Sequence, residues 1–145
     1  MNEETTKQIA KNVMAAIDRQ SKQGRQLIML EFTVKFMKEL RAHFTQTEGQ
    51  EIADQKIGEL ADALGKSILP FVLDKKKLPP VAMALINRQS PEVYQEITMA
   101  FRVQLLKELW VHFAKKDKDT ADQKISELAA AFGPNVIDLV FETED

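Results

Sequence analysis

Residues 24–46 carry too many apolar side chains for a surface helix. On a wheel of 100° per residue with Phe32 at zero, they sweep from Ile28 through Phe32, Phe36, Met29, Leu40, Phe44, Met37 and Leu30 to Val34 and Leu27. That arc is about 260° wide, against the ~100° stripe of an ordinary amphipathic helix. Residues 91–115 repeat the pattern with Ile97, Met99, Phe101, Val103, Leu105, Leu106, Leu109 and Phe113. Two helices this apolar must be covered on most sides, so the pattern predicts a bundle with both at its centre.

The likeness of these two runs extends well beyond them. Val13 to Gly65 and Ala82 to Gly133 align with one gap, and 25 of 52 pairs are identical. The offset is 69 through Lys38-Glu39-Leu40 against Lys107-Glu108-Leu109. It becomes 68 in Ala53-Asp54-Gln55-Lys56-Ile57 against Ala121-Asp122-Gln123-Lys124-Ile125. A tandem duplication fixes architecture before any propensity argument begins.

Each copy reads as three helices and a short apolar tail. The first helix covers about Thr6 to Arg19, with its counterpart at about Pro80 to Asn87, where Pro79-Pro80 sets the start. The second helices run about Gly24 to Gln46 and Pro91 to Lys115, the latter opened by Ser90-Pro91. The third begins in copy two at Thr120, where Thr-Ala-Asp-Gln matches a capping box, and ends at Gly133-Pro134. In copy one it carries Ile57, Leu60 and Leu64 and ends near Gly65. The stretches Ile68 to Leu73 and Val136 to Phe141 read as short helices, with Ser67 and Asn135 at cap positions.

Copy one spans about residues 6–73, a linker about 74–80, and copy two about 81–141. The expected fold is a single all-α domain over residues 1–145: a helical bundle of two tandem ~69-residue three-helix repeats, related by an internal pseudo-twofold and sharing one core. Half of the chain is about 70 residues, a size at which one core rarely supplies more than ~3–5 kcal/mol. With 44% hydrophobic residues and no cysteine, shared burial is the available source of stability.

Net charge is −2, which opposes the broad positive field of a nucleic-acid binder. Lys75-Lys76-Lys77 and Lys115-Lys116 read as solvated loop charge. No apolar stretch approaches a membrane span, and Met1-Asn2-Glu3-Glu4 is unlike a basic signal region. The absence of cysteine fits a reducing compartment. The expectation is a cytoplasmic protein that engages neither nucleic acid nor membrane. Apolar arc left over in the bundle suggests a homodimer, the commonest closed oligomer, alongside an unknown protein partner.

Candidate chemistry is sparse. The only two histidines stand at equivalent positions, each four residues after a glutamate: Glu39/His43 and Glu108/His112. That spacing puts both side chains on one helical face and defines the alternative reading, a metal- or small-ligand-binding bundle. Di-metal bundles space the pair by three, however, and His43 falls inside the apolar arc, so a core or boundary histidine hydrogen-bonded to a neighbouring side chain is expected, and no metal. Arg19 and Arg88, in repeated Arg-Gln-Ser, complement helix C-termini and could together grip an anion. Asp54 and Asp122 are expected in first turns, where acidic residues suit the dipole. Repeated Lys38, Lys56 and Glu59 are not demanded by packing.

The copies differ most where Tyr94 replaces Arg25 and Trp110 replaces Arg41. Both residue types are favoured interface anchors, which makes Tyr94 and Trp110 the expected interaction residues. No phosphate loop, cysteine nucleophile or His-Glu-x-x-His motif occurs. The chain is therefore expected to be no enzyme, to need no cofactor, and to act as a protein-interaction or regulatory module.

Overall fold

The computed structural model describes residues 2–19, 22–78 and 90–141. The expected helix over Pro80 to Asn87, Arg88 with its anion-gripping role, Ser21 and the acidic end Glu142 to Asp145 lie outside the described residues. What is described is helical, with no strand. In order come α1 (Glu3–Asp18), α2 (Lys22–Glu48), α3 (Gln50–Leu64), a 3-10 turn (Lys66–Ile68), α4 (Leu69–Val72), α5 (Pro91–Ala114), α6 (Lys118–Ala130) and α7 (Pro134–Val140).

The ends of these helices follow from side chains that satisfy orphan backbone groups. α1 begins earlier than Thr6 because the Asn2 Oδ1 accepts the Thr5 N–H at 2.7 Å. α5 opens as expected, with Pro91 in its first turn and the Ser90 hydroxyl oxygen accepting from Val93 N–H at 3.4 Å. α6 corrects the capping-box reading. Its cap is Asp117, whose Oδ2 accepts from both the N–H and the hydroxyl of Thr120, so the helix starts at Lys118. With the Thr120 N–H served by the Asp117 carboxylate, the helix begins before Thr120 and the threonine lies inside its first turn. Those bonds hold the Asp117 carboxyl below its ordinary pKa.

Gly65 and Gly133 end the α3 and α6 regions at φ +117° and +114°, a backbone setting that side chains disfavour. They also precede the short helices, so neither Ser67 nor Asn135 is the cap. Past α4 the chain turns at Asp74 (φ 61°), where the backbone N–H groups of Lys75 and Lys76 both donate to the Pro70 carbonyl at 2.8 and 3.0 Å.

Two apolar clusters account for the wide arcs. The larger joins Phe36, Met37, Leu40 and Phe44 of α2 to Leu105, Leu106, Leu109 and Phe113 of α5, with Ile57 and Ile125 from α3 and α6. The smaller joins Ala10 and Ile17 of α1 to Ile28 and Phe32 of α2 and to Val93, Ile97 and Phe101 of α5. α1 thus packs on the long helix of the other copy. Phe32 and Phe101, aligned at offset 69, stack at 3.8 Å between centroids with their planes 11° apart. Burying each such side chain contributes about 1.5–3 kcal/mol.

This packing consumes most of the apolar arc within one chain. The large apolar side chains left exposed among the described residues are Leu27, Ile52, Val111 and Leu139. No described helix is long and apolar enough to cross a membrane.

Candidate interaction surface

At one end of the bundle, α3 and α6 face each other through charges. Lys56 donates to Glu127 and, at 2.6 Å, to Glu48, and Lys124 donates to Glu59. Lys56 sits 4.6 Å above the Phe44 ring, and Lys124 4.6 Å above Phe113. Burial works against the Lys56 ammonium, but its two carboxylate partners outweigh burial and hold its pKa above the ordinary lysine range. The cleft these residues line is only about 100 Å³, too small for an ordinary ligand site. It can fasten the two copies and do little chemistry.

Neither histidine is a core residue: His43 takes the boundary position, and His112 lies outside it. His43 is half-buried and His112 exposed, each with its ring edge-on to the next residue, Phe44 at 5.5 Å and Phe113 at 5.4 Å. A wheel gives an angle and no position along the axis, so it does not encode how closely a neighbouring helix covers the level of His43. The Glu39 carboxylate is already held by Arg102 Nη2 at 2.5 Å and Lys35 Nζ at 3.2 Å. No three described His, Asp or Glu side chains gather as a metal-binding group.

Asp54 and Asp122 lie beyond the first turn and bind neighbouring helices instead. Asp54 accepts from Arg41 Nε at 2.8 Å, and Asp122 accepts from Trp110 Nε1 at 2.7 Å. Trp110 thus takes over the anchoring task of Arg41, with an indole donor in place of a guanidinium. Tyr94 packs against the smaller cluster, beneath the Lys35 ammonium at 5.4 Å. Both are half-buried. Sixteen positions separate them on α5, about 24 Å by helical rise, so the two do not form one patch.

The surface that the sequence did not single out is a pair of grooves at aligned positions. The first, about 650 Å³, runs along α2 past Val34, Lys38 and Ala42 to Phe71, with Asp74 to Leu78 as its far wall. Lys38 donates to Asp74 at 2.7 Å, which holds that carboxyl below its ordinary pKa. The second, about 660 Å³, runs along α5 past Val103, Lys107 and Val111 to Leu139. Val34 is 6% exposed and Val103 half-buried, while Val111 and Leu139 are 54% and 39% exposed. The sequence signal for this site was the repeat itself: Lys38 recurs as Lys107 on the outer face, where packing does not require it.

No family model matches the chain, and comparison with curated proteins and with solved structures gives no match.

Proposed function

We propose that the protein is a non-enzymatic interaction module, cytoplasmic, that recognises a protein partner through the outer face of α5 and α7. The observation that carries this reading is the adjacency of Val111 and Leu139, two exposed large apolar side chains lining one groove. Exposed apolar residues scattered singly need no explanation, whereas a grooved pair with charged margins is the pattern of a contact site. Tyr94 and Trp110 serve this face indirectly, by fixing α5 against its neighbours.

The module is built, on this reading, from two cassettes related by an approximate twofold. Its support is reciprocity: Lys56 with Glu127 and Lys124 with Glu59 are one contact made twice, as a twofold requires. The stacked Phe32 and Phe101 and the paired Arg41–Asp54 and Trp110–Asp122 contacts fit the same relation. A homodimer through the α5–α7 face is the second reading, favoured by the same exposed pair. The metal-binding alternative draws no support from Glu39, whose carboxylate is engaged by two cations.

The test is selection of a displayed peptide library on the full chain, with counter-screening on Val111→Glu/Leu139→Glu. Both sites are exposed, so the double variant should melt within a few degrees of the parent. The expected result is enriched sequences that bind the parent and fail on the variant. Enrichment indifferent to the variant would remove the assigned face. Light scattering decides the second reading: the dimer requires twice the 16.5 kDa chain mass, reverting to one on the double substitution.

A further inference from the structure

Where α2 meets α5, two buried polar atoms on one face of α5 are left over. Thr98 is 5% exposed, and its Oγ1 has no hydrogen-bond partner among the described residues. One turn on, the Nε of Arg102 is buried and equally without a partner there. Thr98 departs from the other threonines of these helices. Thr6, Thr33, Thr45 and Thr47 each donate the hydroxyl to the carbonyl four residues back, at 3.0, 2.8, 2.7 and 3.1 Å. Buried polar groups are almost always paired, because an unmade bond leaves the whole desolvation cost standing.

The same two residues line one cavity between the helices, together with Phe32, Phe36, Phe101 and the Glu39 side chain. Its volume is about 10 Å³, room for a single water and for no larger ligand. Arg102 is already committed at its far end: Nη2 donates to Glu39 at 2.5 Å, and the guanidinium lies 4.7 Å over the Phe132 ring. Its Nε can therefore swing to a more distant acceptor only by giving up those contacts. At the offset of 69, copy one has Met29 and Thr33 in place of Thr98 and Arg102, and Thr33 is satisfied by the Met29 carbonyl. The polar pair is thus a feature of α5 alone.

We propose that this cavity is the binding site of one structural water molecule. The water accepts from Arg102 Nε–H, shares a hydrogen bond with the Thr98 hydroxyl and donates to the Glu39 carboxylate. Three bonds are the usual complement of a buried water. An anion is excluded by size and by the Glu39 carboxylate on the same wall. The water completes the clamp by which Arg102 ties α5 to α2 and to Phe132 beyond α6. It acts in positioning α5 and is independent of what the outer face of that helix binds.

The test is a pair of crystal structures of the full-length chain, parent and Thr98→Val, at a resolution that orders solvent, with thermal melting of both. In the parent, one solvent peak is expected about 2.7–3.2 Å from both Arg102 Nε and Thr98 Oγ1. Thr98→Val keeps the shape of the side chain and removes the hydroxyl. It should lose the peak and lower the melting midpoint by a few degrees, because Arg102 Nε is stranded. Thr98→Ser should retain the peak. A Thr98 hydroxyl turned to the Tyr94 carbonyl, or Arg102 Nε donating straight to Thr98 Oγ1, with no solvent between, would overturn the proposal. So would a midpoint raised by Thr98→Val, the result for a hydroxyl buried without any partner. Oxygen-17 relaxation dispersion gives a reading in solution: the parent should hold one more long-lived water than Thr98→Val, and equal numbers would also overturn it.

Discussion

The α3–α6 end and the outer faces of α2 and α5 hold aligned residues in opposite relations. At the α3–α6 end, repeated lysines and glutamates reach across the chain and satisfy each other. On the outer faces, repeated lysines meet different fates: Lys38 is paired with Asp74, and Lys107 stands exposed. Identity between copies therefore has two physical meanings here. Where the copies meet, a repeated residue is a fastening; where they look outward, it lines a groove, which in one copy has the linker as its far wall.

The comparison breaks most readily in the core. Phe101→Ala should cost about 3–5 kcal/mol by the lost burial and the cavity left behind, and Phe32→Ala a similar amount. Urea unfolding should remain a single transition in both, because each ring is the other's packing partner. Two separate transitions would show that the copies unfold as independent units.

A smaller effect is expected where one copy uses an indole and the other a guanidinium. Trp110→Phe keeps the ring and removes the donor to Asp122, at a cost of about 0.5–1.5 kcal/mol in the same assay. An unchanged midpoint would mean that the Trp110–Asp122 bond contributes nothing to holding α6.

Smaller still is the charge end. Lys56→Glu and Glu127→Lys should each destabilise by up to about 1 kcal/mol, and the double reversal should recover most of the loss. Simple additivity of the two would contradict a direct contact.

The smallest effect is in acid. Asp74 has a depressed pKa in the folded protein, so its contribution is present above its ordinary value of 3.8 and fades as pH falls through the folded value. The stability difference between parent and Asp74→Asn should therefore shrink as pH falls below 3.8 and vanish once the folded carboxyl is protonated. A difference that persists there would detach the linker from the charge on Lys38.

The helical class was legible because it rests on periodic apolar positions, and Leu40, Leu109, Ile57 and Ile125 from those runs are all buried. Helix starts were less so, since Asp117 and Thr120 are both good caps and only geometry decides which donor is served. The exposure of His112 was illegible because a wheel gives angle alone, and burial depends on which neighbour covers that level of the helix. Lys56 and Glu59 looked free of packing duty because their partners lie in the other copy, 71 and 65 residues away. The grooves were illegible for a related reason: their floors are repeated, and the wall that residues 74–78 give the first comes from a segment read only as a linker.

The central claim is that recognition belongs to the α5–α7 face and not to its aligned counterpart on α2. Amide chemical-shift mapping during titration with a peptide selected from the displayed library tests it with an internal control. Shifts are predicted at Val103, Lys107, Val111 and Leu139, with Val34, Lys38 and Ala42 unmoved. Equal shifts on both faces, or shifts gathered at Tyr94 and Trp110 instead, would contradict it.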